Sequence, residues 1–110
     1  MDKSKHIFKD DVHLEDMGEG VSRQILGHDK DLMMVKVNFE EGAICKAHSH
    51  PHRQTTYVAS GVFEVSLGSD VKTLNEGDSF YVAPEEVHGV LCLKKGTLID
   101  VFNPAREDFL

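Results

Sequence analysis

The sequence predicts an all-β sandwich or barrel. Three observations carry this reading. Short runs rich in branched and aromatic residues recur at roughly 8–12-residue spacing, with nine glycines spread between them as punctuation. Several runs alternate apolar and polar residues, the period of a half-buried strand. Helix-period runs are weak throughout.

Taken in order, Ile7–Met17 holds at most one helical turn, packed against the barrel. Strands are expected at Val21–Leu26 and Leu32–Phe39. In the latter, Val35, Val37 and Phe39 oppose Met34, Lys36 and Asn38. Ile44–Ser49 is a third strand. Thr55–Ala59 and Val62–Leu67 read as a hairpin around a tight turn at Ala59-Ser60-Gly61. In the second of these, Phe63, Val65 and Leu67 oppose Val62, Glu64 and Ser66. A further turn at Leu67-Gly68-Ser69-Asp70 leads into Asp70–Leu74. A reversal at Asn75-Glu76-Gly77-Asp78 precedes Ser79–Val82. Val87–Leu93 and Thr97–Asn103 complete the set. No internal repeat, low-complexity tract or linker interrupts the chain.

With 110 residues the chain is expected to form a single domain. Its hydrophobic fraction of 40% and charged fraction of 28% fit neither disorder nor a membrane protein. No apolar run approaches the roughly 20 residues that cross a bilayer. The opening MDKSKHIFKDD lacks the apolar stretch of a signal peptide, so the cytoplasm is the expected compartment. Twelve basic against nineteen acidic side chains give a net charge of −7, so neither nucleic acid nor a membrane surface is an expected partner. Cys45 and Cys92 do not make a disulfide framework and read as small buried hydrophobes.

Histidine is the odd item, at seven residues, four of them at positions 48, 50, 52 and 88. His48 and His50 are two apart, which on a strand places both on one face. Gln54 follows near the start of the next strand, and His88 lies in a distant one, just after Pro84. Two imidazoles, a third from a neighbouring strand and one side-chain oxygen make a divalent-metal shell. Imidazole suits iron, nickel, zinc, cobalt or copper. Any one of these histidines alone reads as a hydrogen-bonded surface residue. His52 falls off the ligand parity and is placed at the rim; His6, His13 and His28 read as incidental.

The spacing itself resembles a known signature. Gly42, five residues, His48-Ser49-His50, three residues, Gln54, six residues and Gly61 are similar to the first motif of the cupins, with glutamine replacing the usual acid. Gly77 and His88, eleven positions apart, resemble the second. Pro84 is one position late there, Glu85 takes a usual glycine place, and Cys92 stands where asparagine is common. The resemblance covers about residues 32–103 and implies a jelly-roll β-barrel, a single cupin domain over 1–110. Within the cupins, the chain looks like the KdgF-like proteins of pectin and alginate breakdown. The similarity lies in Gly20-Val21-Ser22-Arg23, residues 32–43 and 48–54, Gly77–Phe80, Glu86–Gly89 and the ending from Asp100. This resemblance implies conversion of 4,5-unsaturated monouronates to linear keto forms. It implies His48, His50, Gln54 and His88 as metal ligands, and Asp100, Phe102 and Arg106 as catalytic and substrate-holding residues. The implied cofactor is one divalent ion: nickel, zinc, iron or manganese. A small carboxylated sugar is the implied partner, and a homodimer through edge strands the expected assembly.

The residues of the tail are compatible with that. Leu98, Asp100 and Phe102 share one strand face, and an acid between apolar neighbours fits a carboxylate at a pocket edge as well as an edge-strand aspartate. Arg106, after Pro104, is either a surface arginine or a planar fork for a sugar carboxylate. Tyr57 and Tyr81 read as packing or pocket walls, and Glu85-Glu86 as a solvated loop beside His88. Two other functions suit the same fold: a metal-dependent dioxygenase, and a non-catalytic module that binds a small molecule or sugar.

Overall fold

A computed structural model describes residues 3–110. Their elements in chain order are a 3₁₀ turn at Lys9–Asp11, then strands β1 (Glu15–Gly18), β2 (Val21–His28), β3 (Met33–Phe39), β4 (Ile44–His48), β5 (Arg53–Leu67), β6 (Asp70–Asn75), β7 (Ser79–Val82) and β8 (His88–Asn103), and a closing 3₁₀ turn at Glu107–Phe109. Every strand pair is antiparallel. The path runs β1-β2-β3-β8-β5-β6, with β4 on β8 and β7 on β5.

The long strands β5 and β8 organise the molecule. Their paired halves Arg53–Ser60 and Thr97–Asn103 lie between β3 and β7. The other halves, Val62–Leu67 and His88–Lys94, lie between β4 and β6. The pairing thus divides into two layers that share β5 and β8. The core fills the space between them: Phe39, Val58, Phe63, Val65, Phe80, Val82, Val90, Cys92 and Leu98 form one cluster. Phe39 meets Phe63 edge-on, centroids 5.3 Å apart. A smaller cluster of Met33, Val35, Phe102 and Ala105 closes one end. Burying each large apolar side chain contributes about 1.5–3 kcal/mol.

The expected hairpin at Ala59-Ser60-Gly61 is not a hairpin. The chain continues straight through as β5, with irregular register at Val58, Ser60 and Val62. Val87–Leu93 and Thr97–Asn103 likewise merge into β8. The two bends lie against each other. Gly61 has φ of 85°, and a Cβ there would sit 2.6 Å from the Cα of Gly96. The glycines let two backbones cross closely as both strands pass from one layer to the other, which is a bend rather than a reversal.

Other expectations stand. Leu67 pairs directly with Asp70 around Gly68. Asp78 N–H donates to Asn75 O at 2.9 Å, and Asn75 N–H to Asp78 Oδ2 at 2.7 Å, closing the reversal. The turn within Ile7–Met17 is a 3₁₀ turn, followed by β1, a strand without apolar alternation to announce it. Tyr57 and Tyr81 are not pocket walls: they are about half exposed on the outer face. Gln54, Thr56 and Val58 take the inner face of β5, so parity turns Tyr57 outward. No helix is long and apolar enough to cross a membrane among the described residues.

Candidate metal centre

His48 ends β4 and His88 begins β8, and the two are paired in register. Their ring centroids are 4.4 Å apart. His50 joins them by a different route from the expected strand parity. β4 stops at His48, so His50 lies in the loop beyond it, where its carbonyl accepts from Glu85 N–H at 2.8 Å. The candidate ligand nitrogens of His48, His50 and His88 all lie within 4.8 Å of one another. His50 and His88 are buried; His48 is half-buried.

Each ring is oriented by a main-chain carbonyl. Nδ1 of His48 faces Lys46 O at 2.9 Å, Nδ1 of His50 faces His52 O at 3.0 Å, and Nδ1 of His88 faces Glu86 O at 3.0 Å. A carbonyl only accepts, so each Nδ1 carries the hydrogen and donates. Each Nε2 is thereby left with its lone pair, the arrangement by which outer hydrogen bonds set metal-binding histidines. Burial holds both His50 and His88 below the ordinary histidine range, and the nearby Arg106 and neighbouring imidazoles act in the same direction. Neutral imidazole is the form that binds metal.

Gln54 completes the set. Its Nε2 donates to Thr56 Oγ1 at 2.9 Å and to Asp100 Oδ1 at 3.3 Å, which fixes the amide's orientation. Its Oε1 consequently faces Nε2 of His50 at 2.9 Å. With that histidine neutral, two acceptors confront each other inside the protein. A cation between them relieves the conflict, since both atoms can reach one ion at about 2.1 Å. The donor set therefore fits a divalent metal: three neutral imidazoles and one amide oxygen.

Beside the centre is a cavity of about 280 Å³, lined among others by Arg23, Cys45, Asp100, Phe102, Arg106 and Phe109. Asp100 accepts from Thr56 Oγ1 at 2.6 Å, through the same oxygen that faces Gln54. Burial raises its carboxyl to about 6, against the downward pull of Thr56, Gln54 and Arg106. Phe102 is buried, and its ring meets His50 edge-on at 5.8 Å. The Arg106 guanidinium lies 5.2 Å from the Phe102 centroid and 4.4 Å from that of Phe109, and is held by Asp108 at 2.9 and 3.1 Å. All the sequence-derived site residues thus border one metal-and-cavity assembly.

Sequence reasoning missed several neighbours. Thr56 was no motif residue, and Phe109 lay in the resembling tail without being assigned a role. Cys45 is half-buried, packed against the core cluster and also lining the cavity, while Cys92 is fully buried as expected. Arg23 had a legible signal: it stands between Val21 and Ile25 on the inner face of β2. His52 lies outside the three-histidine cluster; its carbonyl orients His50, and its own Nδ1 is buried without a hydrogen-bond partner among the described residues.

The comparisons agree with this geometry. A family model described as Cupin domain matches residues 35–102. The pectin degradation protein KdgF of Dickeya dadantii (strain 3937) is 42% identical over 108 residues, covering 96% of this chain and 98% of that protein. A solved RmlC-like cupin from Shewanella frigidimarina superposes with a TM-score of 0.93 at 45% identity over the whole of both chains. The structure of KdgF from Halomonas sp. also gives 0.93, at 34% identity over 98% of this chain and 100% of that one. By motif, fold and near full-length likeness, the chain belongs to the cupin family as a homologue of KdgF.

Proposed function

We propose that this cupin is an isomerase that opens the ring of 4,5-unsaturated monouronates from pectin or alginate breakdown, giving linear keto-uronates. The observation that carries the reading is the juxtaposition of a carboxyl group poised near neutrality with a ligand set suited to a divalent cation. Near full-length likeness to proteins named KdgF supports the substrate class.

The reaction is an isomerisation. The hemiacetal C1 hydroxyl loses its proton, the C1–O5 bond breaks, and C1 becomes an aldehyde. O5 leaves as the enol oxygen at C5. With O5 carrying the bond's electron pair as an enolate, one proton added at C4 gives the 5-ketone and balances the one taken from the C1 hydroxyl. Atoms balance and no electrons leave, so no nucleotide or oxidant is needed.

Asp100 is suited to the proton transfers. Its Oδ1 is committed to Thr56 and Gln54, while its carboxyl group borders the cavity. At about 6 it can accept the C1 hydroxyl proton and return one at C4 under physiological conditions. Phe102 supplies an apolar wall against the sugar ring. Arg106, braced by Asp108 and stacked on two aromatic rings, offers its remaining donors to the substrate carboxylate. A divalent ion held by His48, His50, Gln54 and His88 would supply Lewis-acid polarisation of a substrate oxygen.

The test is incubation of metal-loaded protein with freshly generated unsaturated galacturonate or mannuronate, followed by NMR. Loss of the ring alkene signal and growth of the linear keto form faster than in a protein-free control is the expected result. No acceleration over that control rejects the function.

A further inference from the structure

Phe109, beside the cavity, carries two guanidinium groups. The Cζ of Arg23 lies 4.0 Å from its ring centroid, and that of Arg106 lies 4.4 Å from the same point. Both border the cavity. Arg106 is already committed: Asp108 holds it with two short bonds at 2.9 and 3.1 Å. Arg23 is not. Its contacts with Glu15 are 3.4 and 3.5 Å long, beyond the ~2.7–2.9 Å of a well-made charged pair. Its Nη1 makes no hydrogen bond among the described residues, although the Arg23 side chain is only 14% exposed.

The placement is unusual for its strand. Val21 packs against the larger core cluster and Ile25 against the smaller, and Arg23 stands between them on the same face, paired across to Val37. A cation on the apolar face of a barrel strand loses hydration and needs a compensating partner. Glu15, reached only at long distance from a short strand, is a weak one. A planar donor fork with free capacity, facing a cavity beside a metal centre, suits an anion with two coplanar oxygens.

We propose that Arg23 is a specificity-determining residue that binds the substrate's carboxylate in exchange for Glu15, forming with Arg106 a two-armed anion clamp beside Phe109. The inference rests on the uronate reading above, and extends it by naming a second arm that selects acids over neutral sugars. The aromatic ring that both arms approach limits solvent at the guanidiniums, which strengthens their attraction for a carboxylate.

The test uses the full metal-loaded chain with Arg23→Gln and Arg23→Lys. Binding of galacturonate and of its uncharged methyl ester is measured by calorimetry, alongside KM and kcat for the unsaturated acid. R23Q should weaken galacturonate binding and raise KM about tenfold or more, with ester binding and kcat little changed. R23K should recover part of the loss. Unchanged galacturonate binding in R23Q, or equal weakening for acid and ester, overturns the inference. Should R23Q fail to fold, Glu15→Gln decides. Freeing the guanidinium must tighten galacturonate, and unchanged or weaker binding overturns the inference. A wild-type protein inactive on the unsaturated acid removes the proposed reaction, while the binding arms still test the clamp.

Discussion

Thr56 and Asp100 face each other across β5 and β8, and the threonine hydroxyl donates to Asp100 Oδ1 at 2.6 Å. The same hydroxyl accepts from Gln54 Nε2 at 2.9 Å. One small side chain thus ties the acid to the amide that faces His50. Removing the hydroxyl in Thr56→Val takes a donor from the ionised carboxylate, so Asp100 should hold its proton to higher pH. Because the proposed reaction uses the ionised form as base, the acid limb of the kcat–pH profile should move upward. An unmoved limb would separate Thr56 from the chemistry.

Asp100→Asn keeps the shape and retains an oxygen to accept from Thr56 and Gln54. Metal content should therefore stay unchanged. Turnover should fall by about 10²–10⁴-fold, the usual contribution of a positioned acid–base group. Turnover equal to wild type would exclude the role.

The same substitution should stabilise the metal-free fold at neutral pH. Asp100 is raised from 3.8 to about 6, so the fold favours its protonated form. Its contribution to stability is fully present below pH 4 and is lost as pH rises through about 6. Replacing it with neutral asparagine removes a penalty of up to about 3 kcal/mol above that pH. Thermal melts at pH 7.5 and pH 3.5 check this: the Asn variant should gain at the former and show little or no gain at the latter.

His50 and His88 behave with the opposite sign. Burial lowers both, so their neutral forms are favoured by folding, and the stability they contribute is lost as pH falls below about 6.5. A bound cation competes with the same protons, so metal retention should decline over that acid range. Metal content after dialysis at stepped pH measures it. His48→Ala should lose metal even at neutral pH, by more than the about 10–100-fold typical of removing an outer partner.

Gly61→Ala should destabilise by several kcal/mol. The residue has φ of 85°, and the new Cβ would press on backbone at Gly96. Chemical denaturation of the metal-free protein reads the loss. A change within 0.5 kcal/mol, the usual range of about ±0.5 kcal/mol for surface substitutions, would show that the two strands can part at their crossing.

Much of this was legible because alternation reports which face is buried. Val35 and Phe39, Phe63 and Val65, and Leu98 with Phe102 all lie inside as their patterns predict. The spacing from His48 to Gln54 was legible for the same local reason. Gly61 was misread because a glycine between two apolar runs signals a turn and a bend alike; the presence of Gly96 opposite distinguishes them, and that is a long-range fact. β1 was missed because its side chains are mostly exposed and carry no periodic signal. Thr56 and Phe109 join the site through pairing and chain return, which local sequence does not encode.

Lys46, His52 and Glu86 steer the three rings with main-chain oxygens. The Lys46 and Glu86 side chains take no part in that steering, so those two positions are free to drift while the centre keeps its aim; the His52 ring also meets His50 edge-on at 5.4 Å. The orientation of the metal-facing nitrogens is inherited from the path of the chain. Random mutagenesis would pass over these steering points as neutral, and a single-atom amide-to-ester replacement that weakens the carbonyl of residue 46 or 86 would be needed to reveal them.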